Sequence, residues 1–191
     1  MSTMAVVIIV VACVVVLAAI ASIVAYRRAQ RGKLRQRFGP EYDRAVETSG
    51  SPRQAEADLR GRVELRDRLS IRPLSAEQRE RAEREWERVQ AEFVDSPARS
   101  LDQADSLLTK VMVDRGYPMQ DFEGQADLIS VDHADVVAHY RKAHGIQVAS
   151  QTGGASTDEI RDAFMAYREL FANLLADTGA SADPAYASRR T

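Results

Sequence analysis

Residues 75–97 read SAEQRERAEREWERVQAEFVDSP, and this stretch decides the fold class. Ser75 is a favoured helix N-cap, and Gln78 follows at the capping-box spacing, in which each side chain satisfies the other's backbone amide. Ala82, Trp86, Val89 and Phe93 then recur at three- and four-residue intervals, the period of one helical face. Most of the intervening positions are charged. Glu77–Arg81, Glu80–Arg84 and Arg88–Glu92 stand at i,i+4, so these carboxylates read as a solvated helix surface rather than as acid–base pairs. Asp95-Ser96-Pro97 closes this helix and opens another, because proline is favoured at the first helical position after a serine cap.

Downstream, Leu101, Ala104, Leu108, Val111 and Met112 form a second buried stripe, stopped by Arg115-Gly116. The short link between the two helices predicts an antiparallel hairpin with Trp86 and Phe93 facing the Leu101–Met112 stripe. A corner from Tyr117 to Glu123 leads to a helix near Val131–His144, carrying Val136, Val137 and Tyr140 and ended by Gly145. The following IQVASQTGGA reads as a mobile link. Ser156 with Glu159 makes another capping box, and Ile160, Phe164, Tyr167, Phe171 and Leu174 trace the last long helix. Residues 178–191 have the composition of a disordered tail.

Upstream, a helix over Pro52–Leu69 places Ala55, Leu59 and Val63 four apart, with Glu56–Arg60 and Glu64–Arg68 as i,i+4 pairs. Its apolar stripe is thin, so residues 41–74 are expected to be a charged stalk or loosely docked arm, parted from 75–177 at Ile71-Arg72-Pro73-Leu74. After Tyr26 there is no cluster of four β-branched or aromatic residues. The expected fold is therefore all-α, with a small antiparallel helical domain at 75–177.

The amino-terminal run MAVVIIVVACVVVLAAIASIVAY occupies Met4–Tyr26, 23 residues without a charge. At about 1.5 Å per residue it matches a hydrocarbon core of about 30 Å, so a single transmembrane helix is expected at 4–26. Arg27, Arg28, Arg31, Lys33, Arg35 and Arg37 follow in a basic juxtamembrane segment, 27–40, and are expected to contact the membrane surface. Cations retained in the cytoplasm would put residues 27–191 inside a cell membrane, the alternative being an extracytoplasmic soluble part. Ala18 with Ser22, and Ala21 with Ala25, suggest weak homo-oligomerisation through this anchor. Cys13, the sole cysteine, reads as an apolar filler and excludes a disulfide framework.

Residues 41–191 carry 20 Lys plus Arg against 28 Asp plus Glu. That acidic balance argues against nucleic acid as a partner, since such binding rests on neutralising phosphates. No phosphate-cradling glycine loop or nucleophile–base signature occurs, so no cofactor and no catalytic residue is assigned. His133 and His144 share a helical face but lie roughly 16 Å apart in rise, too far for one metal ion, and His139 points elsewhere. No metal site is assigned, although the sequence leaves open whether these histidines meet distant carboxylates. Tyr117 and Phe122, in the corner YPMQDF, are the candidate aromatics for docking a protein partner.

The strings WERVQAEFVDSP at Trp86–Pro97, ADSLLTKVMVDRGYPMQDFE at Ala104–Glu123 and LISVDHADVVAHYRKAH at Leu128–His144 resemble a family of actinobacterial proteins. Its members have one N-terminal transmembrane helix and are commonly labelled hypothetical or secreted. The resemblance extends to FGPEYDRAVE at Phe38–Glu47, implies a membrane-anchored helical domain, and carries no catalytic residue. The expected function is a tethered protein-interaction or scaffold module; a helical domain binding a small or lipid-like ligand is the alternative, and an enzyme comes third.

Overall fold

The computed structural model describes residues 3–176; for 3–13, Ile23 and Arg27 it describes the backbone alone. The described residues form eight helices: α1 Thr3–Phe38, α2 Pro40–Ser49, α3 Pro52–Arg68, α4 Ala76–Glu92, α5 Pro97–Arg115, α6 Phe122–Asp132, α7 Ala134–Ser150 and α8 Thr157–Ala176. The all-α expectation holds, and local sequence sets many of the boundaries. Ser75 Oγ accepts from the Gln78 amide while Gln78 Oε1 accepts from the Ser75 amide, and Ser156 and Glu159 repeat the arrangement. Gly116 ends α5 with φ 99°, and the Cβ of any other residue would lie 2.7 Å from the Ser70 carbonyl oxygen.

Two helix boundaries differ from the sequence reading. FGPEYDRAVE is not part of a stalk: Pro40–Ser49 forms α2, begun by its proline and ended by Gly50 in the left-handed region. The helix expected near 131–144 is two helices that meet at His133 (φ −133°, ψ 50°), and α7 continues through Gly145 to Ser150. No glycine or proline marks the break, which lies where α6 and α7 each turn a buried face to the body. Conversely, a mid-helix glycine costs only about 1 kcal/mol, which packing along α7 outweighs. The expected mobile link is thus shortened, and the tail at 178–191 lies outside the described residues.

The main core gathers α4, α5, α6, α7 and α8. Trp86 and Phe93 belong to it but do not simply face the Leu101–Met112 stripe. Trp86 stacks on Phe164 and Phe171 of α8, with ring centroids 5.2 and 4.7 Å apart, and Phe93 meets Phe164 at 4.4 Å. Arg115 is fully buried at the base of the bundle, where Nη1 donates to the Leu174 carbonyl (2.9 Å) and Nε to the Arg72 carbonyl (3.3 Å). A guanidinium at the carboxyl end of α8 sits where the helix dipole favours a cation.

Residues 41–74 are not a loose arm. Ala55 and Leu59 of α3 are buried with Leu34, Phe38, Tyr42, Ala45 and Val131 in a second core cluster. Charged groups complete the docking: Arg66 reaches Asp132 at 2.7 Å, and Arg62 reaches Asp127 at 2.8 Å. The stripe is thin in sequence because arginine stems and ion pairs supply the rest of the contact.

The transmembrane expectation is corrected. Among the described residues no helix is long and apolar enough to cross a membrane. α1 runs on without a break from the apolar segment through the basic collar to Phe38, and Leu34 and Phe38 dock it against the second core cluster. Integral single-pass anchoring, cell-membrane location and self-association through the anchor lose their support. Three of the collar cations make contacts within the protein while remaining exposed. Arg31 pairs with Glu56 at 2.6 Å, Arg35 with Asp43 at 3.0 Å, and Arg37 donates to the Val131 carbonyl at 3.4 Å. Arg28 and Lys33 are exposed, and the Arg27 side chain lies outside the described residues.

Candidate functional site

The densest polar cluster joins α2, α3, α6 and α7 around Glu41. Its side chain is fully buried, and Oε1 receives Arg62 at 2.9 Å, Arg44 at 3.2 Å and Arg141 at 3.2 Å. Arg141 also donates to Asp127 at 2.5 Å and pairs with Glu123, while Arg62 pairs with Asp58 at 2.7 Å. A carboxylate removed from water needs this many donors, because desolvation alone would cost several kcal/mol. All three arginines converge on Glu41 Oε1, while Oε2 is buried without a hydrogen-bond partner. Chemically the cluster is a clamp.

Tertiary packing does bring two histidines to carboxylates. His139 Nδ1 lies 3.7 Å from Glu169 Oε2, and His144 Nδ1 lies 3.7 Å from Asp105 Oδ1. Asp105 also accepts a 2.9 Å hydrogen bond from the Tyr167 hydroxyl. Burial first, and the Asp105 charge second, push the phenols of Tyr167 and Tyr140 up from their ordinary value. Both rings therefore stay protonated. His144 stacks on Phe122 at 3.6 Å and 6°, so its face is covered, and the set is packed rather than open to a substrate. Among the described residues no three His, Cys, Asp or Glu side chains stand close enough to hold a metal ion.

The corner aromatics belong to the body. Tyr117 is 3% exposed, with its hydroxyl 3.4 Å from Asp132, and the Phe122 ring lies between Tyr140 and His144. Their predicted segment was a corner because proline and aspartate break the helix there, but both rings turn inward. Neither offers a free aromatic face.

A different surface is concave and open. A groove of about 540 Å³ runs between α7 and α8, with Ala143, Ile146, Ala163 and Ala166 as its floor and Met165, half exposed, on its lip. Alanines on both helices keep it shallow and smooth. On the α7 side the rim carries His139 and Lys142; on the α8 side it carries Asp162 and Glu169, with Arg168 beyond. No periodic signal marks this groove, since Ala163, Ala166 and Met165 flank the Phe164–Phe171 stripe and read as its edge. Their i,i+3 spacing is visible only in retrospect as the side of a stripe that two helices leave open.

No family profile, curated protein or solved structure matches the chain.

Proposed function

We propose that this chain is a protein-interaction module that receives an amphipathic helix of a partner protein in the α7–α8 groove. The apolar floor between oppositely charged rims carries this reading. A helix laid along it would bury its own stripe on Ala143, Ile146, Ala163 and Met165, the recognition mode in which i, i+3, i+4 and i+7 anchors supply affinity. The rims set its chemistry. Acidic residues on its α7 edge would meet Lys142, and basic residues on its α8 edge would meet Asp162 and Glu169, which gives both orientation and specificity. The absence of an assignable catalytic set among the described residues is consistent with this reading and does not carry it.

A photo-crosslinking residue at Met165 of the full-length chain in its native cell tests the proposal, with Arg84 on the exposed face of α4 as the reference position. A discrete adduct is expected from position 165 and not from position 84, lost when Ala166→Arg is added to block the floor. Adducts from both positions, or from neither, would refute the groove as the docking surface.

A further inference from the structure

Away from that groove, α1 and α3 enclose a basic cleft, and we infer that it binds a short polyphosphate chain, free or carried by a nucleotide. The cleft is about 780 Å³ and is lined by Ser22, Tyr26, Gln30, Arg31, Arg53, Glu56 and Arg60. Its one acid, Glu56, is already committed. Oε1 receives Arg31 Nε at 2.6 Å and the Tyr42 hydroxyl at 3.2 Å, and Oε2 receives Arg60 at 3.4 Å. The carboxylate side chain is only 10% exposed, whereas Arg31 and Arg60 are 55% and 48% exposed. Each guanidinium has five N–H donors in a fixed fork, so both arginines keep donors to spare while Glu56 holds them in place.

Among the described residues Arg53 completes the set without a carboxylate of its own, and in the cleft lining the three arginines exceed the single acid. Spacing selects the ligand class. Arg53 and Arg60 stand two turns apart on α3, about 10 Å in rise, which exceeds the reach of one phosphate and suits a chain of two or three. Lys33 and Arg37 extend the positive rim past Arg60 along a neighbouring groove whose one acid is Glu64. The chain as a whole is at −2, so this concentration of cations is local and would focus anions into the cleft. Oxyanions bind arginine bidentately, and such charge-assisted bonds are about twice as strong as neutral ones.

Titration calorimetry of the full-length chain with inorganic tripolyphosphate, and separately with ATP in the absence of metal, decides the matter. Saturable binding is expected, with orthophosphate much weaker. Equal affinities would mean that the phosphates alone are read, and tighter ATP binding would mean that a nucleotide is preferred; either supports the cleft. Arg53→Gln breaks no ion pair among the described residues and should weaken binding about tenfold, the worth of one charged hydrogen-bonding group. Arg84→Gln on α4 should leave it unchanged. No saturable binding, or equal losses from Arg53→Gln and Arg84→Gln, would overturn the inference.

Discussion

Arg141 Nη2 donates to Glu41 Oε1 at 3.2 Å across 100 residues of chain. This contact joins the second helix to the seventh and closes the smaller core cluster against the larger one. Neither residue is conspicuous in a chain so rich in arginine and glutamate. Their importance comes from burial, with the Glu41 side chain fully enclosed and that of Arg141 9% exposed.

Arg141→Met should therefore destabilise the fold by about 3 kcal/mol, because it strips a buried carboxylate of one of its donors. The double variant Glu41→Leu/Arg141→Met should recover much of that loss, since it removes the stranded charge as well. Urea denaturation measures both. A single-variant loss below about 1 kcal/mol would mean that Arg44 and Arg62 suffice to hold Glu41.

Trp86 is 7% exposed and sandwiched with two phenylalanines of α8. Trp86→Ala should cost about 3–5 kcal/mol, as large core truncations do. Phe171→Leu should cost less and should shift the tryptophan fluorescence maximum, because the ring that Trp86 stacks on is lost. An unshifted spectrum would contradict the stacked pair.

Two glycines give opposite expectations. Gly116→Ala forces a side chain into a φ of 99° and against the Ser70 carbonyl, so it should lose more than about 1 kcal/mol. Gly145→Ala lies inside α7 with nothing within 4 Å of the added Cβ, and should gain about 0.5–1 kcal/mol. Thermal melts of the two variants should move in opposite directions.

Tyr167→Phe removes the 2.9 Å donor to Asp105 and should cost about 1–2 kcal/mol near neutral pH. Burial and Asp105 hold the folded phenol above its ordinary value of 10.0, so only the unfolded chain releases this proton readily above that pH. The stabilisation from Tyr167 is thus fully present below pH 10 and is lost as pH rises beyond it. The stability gap between the parent and Tyr167→Phe should narrow above pH 10. A gap that stays constant there would show that the phenol is not shielded.

Local chemistry was legible without coordinates. Ser75 with Gln78, Ser156 with Glu159, Pro52, Pro97 and Gly116 specify helix ends through interactions spanning three or four residues, and the structure keeps each of them. The stripes of α4, α5 and α8 were equally plain, because a 3.6-residue period shows which face is apolar. What a stripe cannot show is its neighbour. Trp86 stacks on residues about 80 positions downstream, and the turn at His133 follows from two buried helices needing different directions rather than from a breaking residue.

The 4–26 run shows the limit from the other side: its composition suggested a membrane span, whereas α1 continues through the collar and docks through Leu34 and Phe38. The sequence by itself determined an all-helical chain, most of its helix boundaries and the composition of its main core, since backbone capping and side-chain period act over a single turn. Tertiary structure alone decided that Glu41 is buried among Arg44, Arg62 and Arg141, that Tyr117 and Phe122 turn inward, and that the α7–α8 groove and the α1–α3 cleft stay open. Charges and small residues carry no periodic signature of their partners, so burial and the choice of counter-ion emerge only when distant helices meet.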